Sequence, residues 1–150
     1  VLGGTLYAAS GESIVILDSS WPDSPVEVGR IDIGALVTAI DFEVDYRKLA
    51  ALTPHELILF DARSNPVWPI EADRIALFGW AFDGMELDGG WIYLAGRWTQ
   101  TFLYDEEAGL ARMGMHNLDD WVEGRFVHGS WAERMDRPYN RYELWVEKPY

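Results

Sequence analysis

Three aspartates recur along the chain at a nearly constant spacing. Asp18, Asp61 and Asp105 are separated by 43 and 44 residues, and each ends a short apolar run. Carboxylates at equivalent positions of a symmetric repeat would form a ring able to hold a cation. An aspartate directly after a strand also accepts hydrogen bonds from the backbone of the following turn. We expect this turn-capping role for the three residues, and no metal site.

A second set of acids alternates with apolar residues at period two, which is typical of strands. These acids are Asp41, Glu43 and Glu86. If the strands lie innermost in a ring of repeats, the three carboxylates would line a central channel, whose acidic mouth would attract metal ions. The chain contains no D-x-D-x-D-G calcium loop. The channel is therefore the less favoured interpretation.

Catalytic signatures are missing from the sequence. No G-x-S-x-G, P-loop, G-x-G-x-x-G or H-E-x-x-H motif occurs. The scattered histidines, His55, His116 and His128, are expected to be structural or exposed. Paired carboxylates beside tryptophan would permit a glycosidase, but without a motif this is the least favoured hypothesis. We expect a protein that is not an enzyme and that carries no cofactor.

Composition places the chain among soluble globular proteins. Of its 150 residues, 49% are apolar and 25% are charged, and none is cysteine. This excludes disorder and disulfide scaffolds, and no apolar run reaches the roughly 18 residues of a membrane span. The formal net charge is −13, which would repel a phosphate backbone. We therefore exclude nucleic acid as a partner.

Two apolar segments repeat along the chain with an offset of 43 or 44 residues. The copies are Leu6–Ala9, Leu49–Leu52 and Ile92–Ala95 for one segment, and Ile14–Asp18, Leu57–Asp61 and Thr101–Asp105 for the other. A turn rich in Ser, Pro, Asp or Asn follows the first two aspartates, and a further strand follows that turn. A strand such as Ala39–Val44 completes a unit of four strands.

Four antiparallel strands every ~43 residues is the period of a β-propeller blade. A β-sandwich has similar turn spacing but no reason to repeat its sequence at a fixed offset. The sequence thus predicts an all-β propeller or partial propeller in one domain. The blade units are expected at about 5–31, 38–72 and 84–116, with 117–150 as an atypical closing or partial blade. Helix signals are almost absent, the exception being a short window at Trp131–Met135.

The repeated segments resemble a known propeller repeat. SIVILDSSWPDSPVEVGRIDI and ELILFDARSNPVWPIEA are similar to the LVIVD-type repeat of bacterial and archaeal propellers, in which an apolar run, an Asp and a Ser-Pro-rich turn precede a Val-rich strand. The resemblance covers roughly residues 5 to 116. It implies a surface-associated or secreted propeller and specifies no activity.

The number of repeats raises the question of ring closure. At this period the chain holds about 3.5 blades, fewer than the four that close a ring, and the first blade lacks its first strand. In one alternative, the last segment, with candidate strands at 124–128 and 142–146, pairs with the first blade and closes a small ring. Alternatively, the chain is an excerpt of a larger ring, or protomers complete one another. The sequence does not choose among these alternatives.

The strand order predicts on which of the two faces of a propeller each aromatic, arginine or histidine residue of the loops lies. Connections between the second and third strands lie on the same face as the crossings between blades. This face is expected to collect Trp98, Arg97, Trp80, Trp121, His55 and Arg74. Tyr46 and the turn with Trp21 are expected on the opposite face. Because interface centres favour Trp, Tyr and Arg, the first group is the predicted binding surface.

We therefore expect a non-catalytic scaffold that binds another protein. The surface of that partner is expected to be basic, because it must complement the negative net charge of the chain. Alternatively, the partner is a set of further blades that completes the ring. The alternative is a carbohydrate-binding propeller that uses its loop tryptophans, so a glycan is the second candidate partner. The acidic composition favours an extracellular, periplasmic or cell-surface location.

Overall fold

The computed structural model describes residues 4–77, 82–96, 98–106 and 109–117, together with four short strands beyond residue 125. The described residues form β-strands joined by turns and contain no helix. Within the same residues, no helix is long and apolar enough to cross a membrane. The predicted all-β class is confirmed.

The second and third sheets are complete four-stranded antiparallel blades. The second sheet has the order β4 (Ala39–Glu43), β5 (Lys48–Leu52), β6 (Glu56–Asp61) and β7 (Ile70–Ala76). The third has the order β8 (Phe82–Asp88), β9 (Trp91–Gly96), β10 (Trp98–Asp105) and β11 (Gly109–Asn117). Neighbours in sequence are neighbours in space, as the predicted blade unit requires.

The first sheet has three strands, β1 (Thr5–Ser10), β2 (Ser13–Asp18) and β3 (Val26–Asp32). In the repeat these correspond to strands two, three and four, so the expected lack of a first strand is confirmed for this sheet. Two separate hairpins follow later in the chain, formed by β12 (Phe126–His128) with β13 (Trp131–Glu133) and by β14 (Asp136–Arg137) with β15 (Asn140–Arg141). The short helix-compatible window at 131–135 contains the strand β13, whereas residues 142–146 lie outside the described part.

Burial explains why the sequences of the two middle strands of a blade are continuous apolar runs. All five residues of β5 are buried, and so are the four central residues of β6. Both faces of these strands are covered by neighbouring sheets, and strands buried on both faces lose the apolar and polar alternation. The outer strand β7 is mostly exposed. A blade is thus buried at its middle and open at its outer edge.

Two apolar clusters join the three sheets. One lies between the first and second sheets and contains Ile14, Ile33, Val37, Leu49, Ala51, Ile58 and Phe60. The other lies between the second and third sheets and contains Ala50, Leu52, Leu57, Leu59, Leu77, Phe82, Leu87, Ile92, Leu94, Phe102 and Leu110. Successive residues of β5 and β6 contribute to opposite clusters because side chains alternate across a strand.

Tight turns connect the first two strands of each complete blade, as predicted. Arg47 has a φ of 50°, and Gly89 and Gly90 have φ values of 57° and 82°. The connection after β8 has two residues, where positive φ is suited and glycine adopts it without strain, whereas the connection after β4 has four residues, 44–47. These turns lie on the same face as the loops at 19–25 and 62–69, which join the third and fourth strands. We call this face the cleft face, because a cleft between two blades opens on it, and we call the face that carries His55 the opposite face.

Candidate functional site

The repeated aspartates cap turns. The Oδ1 atom of Asp18 accepts a hydrogen bond from the backbone N–H of Ser20 at 2.8 Å, and Oδ1 of Asp61 accepts one from the N–H of Arg63 at 2.8 Å. The side chain of Ser20, followed by its backbone N–H, holds the pKa of the Asp18 carboxyl below its usual value. The capping role is confirmed for both residues. Among the residues that the structure describes, no three acidic or histidine side chains are grouped to hold a metal.

Two carboxylates of the edge strand β4 bind the next blade. Oδ2 of Asp41 accepts a hydrogen bond from the N–H of Leu87 at 2.7 Å. The two carboxylate oxygens of Glu43 accept hydrogen bonds from Gly89 at 2.6 Å and Gly90 at 3.4 Å. Both acids therefore accept hydrogen bonds from backbone N–H groups of the third blade, a role that the sequence pattern did not predict. Glu86 is half-buried on β8.

The predicted binding surface is described only in part. His55 is exposed in the turn between β5 and β6. Trp98 is the first residue of β10 rather than a loop residue, and its side chain lies outside the described part. Arg97, Trp80 and Trp121 also lie outside the described residues. Of the six residues predicted to form the surface, His55 and Arg74 have their side chains within the described part.

Arg74, the sixth predicted residue, is held by two glutamates. Its Nε and Nη2 atoms donate to Glu71 at 3.0 and 2.9 Å, and Nη1 donates to Glu56 at 2.8 Å. The first sheet repeats the two-pronged pair with Arg30 and Glu27. Arg74 is thus part of a repeated ion pair on the outer strand.

Exposed aromatic side chains of the described residues lie on the cleft face. Trp21 is 79% exposed, Trp68 is 62% exposed and Tyr46 is 52% exposed. Their loops belong to the first and second blades, at the end of the strands where β6 ends at Asp61. The sequence placed Tyr46 and Trp21 on this face but assigned the binding surface to the other one.

A cleft of about 280 Å³ opens on this face between the second and third blades. It is lined by Glu43, Tyr46, Lys48, Leu59, Leu87, Gly89, Gly90, Tyr104, Asp105 and Glu106. The walls come from β4, β5 and their turn on one side, and from the turn after β8 and the end of β10 on the other. The cleft therefore exists only because two blades meet.

A buried ammonium group forms the base of the cleft. Lys48 is only 4% exposed, and its Nζ donates to Oδ2 of Asp61 at 3.0 Å. The hydroxyl of Tyr104 is 3.4 Å from Nζ, and the Tyr104 ring centroid is 4.6 Å from it. A buried charge is tolerated when it is paired and hydrogen-bonded. The Arg63 side chain, followed by the backbone of Arg63 and by Lys48, holds the pKa of Asp61 well below its usual range.

The rim of the cleft is acidic. Burial raises the pKa of Glu43, and repulsion from Asp88 and Asp45 raises it further, while the N–H groups of the glycine turn oppose the shift. Arg63 bridges the blades by pairing with Asp61 at 2.6 Å and with Glu106.

Sequence reasoning missed this cleft, although one signal points to it. Lys48 is the single charged residue of the buried strand β5, and the first and third copies of the repeat have Thr5 and Trp91 at that position. A charge that interrupts a repeated apolar pattern marks a place where one interface differs from the others.

Comparison with known proteins supports the architecture. No family model and no curated protein matches the chain. The periplasmic gluconolactonase PpgL of Pseudomonas aeruginosa is similar in structure, with a TM-score of 0.64 and 13% identity over 77% of this chain. Sqt1 of Saccharomyces cerevisiae has a TM-score of 0.65 and 10% identity over 76% of the chain. The matches span 37% and 32% of those two proteins, so the chain corresponds to about a third of either. Both are β-propeller proteins, and the present chain has a propeller fold.

Proposed function

We propose that this chain is a non-catalytic propeller module that binds another protein through its cleft face. The proposal is supported by the distribution of exposed apolar groups. Of the ten large apolar side chains exposed in the described residues, six lie at the cleft-face ends of the strands: Trp21, Val26, Val44, Tyr46, Trp68 and Ile70. By contrast, Leu36 lies in a connection of the opposite face. Concentrated exposed apolar groups mark interaction sites.

The residue types at this face suit a protein interface. Tryptophan and tyrosine are enriched where binding energy is concentrated, because they bury much apolar area and lose little conformational entropy. Charged groups lie on the same face, where Arg63 pairs with Asp61 and Glu106. An aromatic centre with a charged rim is the usual anatomy of an interface between proteins.

The test is capture of partners by the immobilised chain from the organism's extract, with partners identified by mass spectrometry and their affinity then measured with purified protein. Tyr46→Ala and Trp68→Ala are each expected to weaken binding by about tenfold or more, as for residues that anchor an interface. His55→Ala and Leu36→Ala on the opposite face are the matched controls and are expected to leave binding unchanged. The opposite pattern would move the interface to the surface that the sequence predicted.

Carbohydrate binding is the second candidate function. The exposed Trp21 and Trp68 lie in equivalent loops of adjacent blades, and flat indole rings stack well on sugars. The name of the gluconolactonase neighbour also refers to a sugar derivative. Simple glycans added to the purified chain would then shift its tryptophan fluorescence, and Trp68→Ala would reduce that shift. No response to glycans, combined with a captured protein, supports the first proposal.

We also propose that the chain acts outside the cytoplasm. The net charge of −13 and the periplasmic location in the name of the gluconolactonase neighbour support this placement. Fractionation of the source cells, followed by immunodetection of the chain, tests it. Recovery with the cytoplasmic fraction alone would contradict the proposal.

A further inference from the structure

Both faces of the third sheet are buried, although the second blade packs against only one of them. On β9, Ile92 and Leu94 belong to the apolar cluster between the second and third blades. Side chains alternate across a strand, so Tyr93 points away from the second blade, yet it is only 4% exposed. On β10, Thr101 lies directly opposite Tyr93, and both Thr101 and Thr99 are buried as well. Another part of the protein therefore covers this side, which we call the far face of the third sheet.

The far face carries carboxylates at the positions with which the second blade holds the third. Asp41 and Glu43 on β4 accept hydrogen bonds from backbone N–H groups of the third blade. The registers of the paired strands put Glu86 and Asp88 at the same two positions on β8. Burial raises the pKa of Tyr93 to about 12, and repulsion from Asp88 and Glu86 adds to the effect, so both acids lie near Tyr93 on the far face.

The hairpin β12–β13 repeats the first hairpin of the third blade. Strands β8 and β9 pair Asp88 with Trp91 across a connection of two residues, 89 and 90. Strands β12 and β13 pair His128 with Trp131 in the same way across residues 129 and 130. The sequences of the two turns with their flanking residues, LDGGW and VHGSW, are similar. The later hairpin therefore has the register and the turn of a first blade hairpin.

We propose that the hairpin β12–β13 covers the far face as the first hairpin of a fourth blade, and that Glu86 and Asp88 hold it there. Glu86 accepts a hydrogen bond from the N–H of Val127 in this arrangement. Asp88 accepts hydrogen bonds from the N–H groups of Gly129 and Ser130. These are the contacts that the second blade makes to the third, transferred by one repeat. The inference does not depend on the proposed binding function, because it concerns an interface within the chain.

The chain's own hairpin fits the far face better than a second copy does. Residues 77–81 suffice to cross from β7 to β8, and the longer segment 118–125 connects β11 to β12. The first sheet of a second copy would offer a different surface. Within the described residues that sheet has three strands and lacks the first strand of the repeat. It therefore lacks the N–H groups of a first hairpin, which are the donors that Glu86 and Asp88 would engage.

The experiment measures amide hydrogen exchange by NMR on the whole ¹⁵N-labelled chain. The amides of Gly129 and Ser130 are followed in the wild type and in Asp88→Ala. Glu43→Ala is the matched reference at the second interface, where residues 89 and 90 donate to the carboxylate that is removed. The amides of the buried strand β6 report any opening of the whole fold, because they exchange only when the core opens.

Asp88→Ala is expected to speed exchange at Gly129 and Ser130 by about tenfold, as for the loss of a hydrogen bond to a charged group. Exchange in β6 is expected to stay unchanged. Asp88→Asn keeps an acceptor and is expected to recover most of the protection. Glu12→Ala, in the exposed turn between β1 and β2, is the control variant and is expected to leave both amides as in the wild type.

A second measurement needs no variant. The Tyr7 ring stacks on Phe42, the residue of β4 that pairs with Leu49, with ring centroids 5.2 Å apart. Tyr93 and Val127 occupy the same two positions one interface further along the repeat. Nuclear Overhauser contacts between the Tyr93 ring and the Val127 methyl groups are therefore expected in the wild-type chain.

Several outcomes would overturn the inference. The Gly129 and Ser130 amides might exchange at the rate of a free peptide in the wild type, or at the wild-type rate in Asp88→Ala. Missing contacts between Tyr93 and Val127 would also exclude the hairpin from the far face. Protection that rises with protein concentration, together with a dimer mass by light scattering, would assign the far face to a second copy. Loss of partner capture by cleft-face variants does not bear on any of these results.

Discussion

The two interfaces between blades are built from the same repeat but closed in different ways. Between the first and second blades, the Tyr7 ring stacks on Phe42 with centroids 5.2 Å apart, and its hydroxyl donates to the carbonyl of Pro66 at 2.7 Å. Between the second and third blades, carboxylates of Asp41, Glu43 and Asp73 accept hydrogen bonds from backbone N–H groups of the third sheet. One interface is closed by an aromatic side chain and the other by charges.

This difference shows what the repeat specifies and what it leaves open. Apolar positions recur in every copy and hold the sheets together, whereas the residue at the cleft-face end of the second strand varies. A lysine there, in place of Thr5 or Trp91, brings a buried charge and its partners to the second interface only. A cleft forms where the apolar contact between neighbouring blades is interrupted.

The largest expected effect comes from Asp61→Asn. The change leaves the Lys48 ammonium buried without its counter-ion, and breaking a buried pair is expected to cost about 3 kcal/mol of unfolding free energy. Urea denaturation measures the loss. Asp18→Asn is the matched control at the equivalent position, where the side chain is exposed and caps Ser20, and it is expected to leave stability nearly unchanged. Equal losses at both positions would show that turn capping, rather than the ion pair, sets the cost.

A smaller loss is expected for Asp41→Ala, which removes acceptors for Leu87 across the interface and for Phe42 beside it. Leaving these N–H groups unsatisfied is expected to cost about 1 to 2 kcal/mol. Asp41→Asn keeps an acceptor and should recover most of the stability in the same denaturation experiment. If the two variants behave alike, the bond to Leu87 does not stabilise the interface.

The comparison can be sharpened with two tyrosines at equivalent repeat positions. Tyr7→Phe loses the bond to Pro66 and is expected to cost about 1 kcal/mol. Tyr93→Phe removes a buried hydroxyl that has no hydrogen-bond partner among the residues that the structure describes, so the unfolding free energy of this variant should be unchanged or slightly raised. Burial raises the pKa of each tyrosine to about 12. A loss at Tyr93 equal to that at Tyr7 would mean that both hydroxyls are bonded alike.

The smallest expected effect is a pH dependence that arises from Glu43. Burial raises the pKa of this carboxyl above its ordinary 4.5, so the folded chain binds the proton more tightly than the unfolded chain. The associated stability is present below pH 4.5 and is lost as the pH rises through the raised pKa. The unfolding free energy of Glu43→Gln, relative to the wild type, should therefore increase between pH 4 and 7. A constant or falling difference would contradict the raised pKa.

Much of the fold could be predicted from the sequence because its signals are periodic. The 43-residue offset located the strands, the glycine turn after Asp88 and the capping role of Asp18 and Asp61. The cleft could not be found this way because its walls come from two copies of the repeat, and Lys48, Tyr104 and Glu106 have no shared spacing. Their proximity depends on how one sheet packs against the next, which no pattern within a single strand reports.

The central claim is that the cleft face is the binding surface, and hydrogen exchange of the complex with the captured partner tests it most directly. The account predicts slower exchange at residues 43–48, 62–69 and 104–106 in the complex than in the free chain, with residues 53–56 of the opposite face unchanged. Protection confined to 53–56 and its neighbouring connections, with the cleft residues exchanging at their free rate, would contradict it.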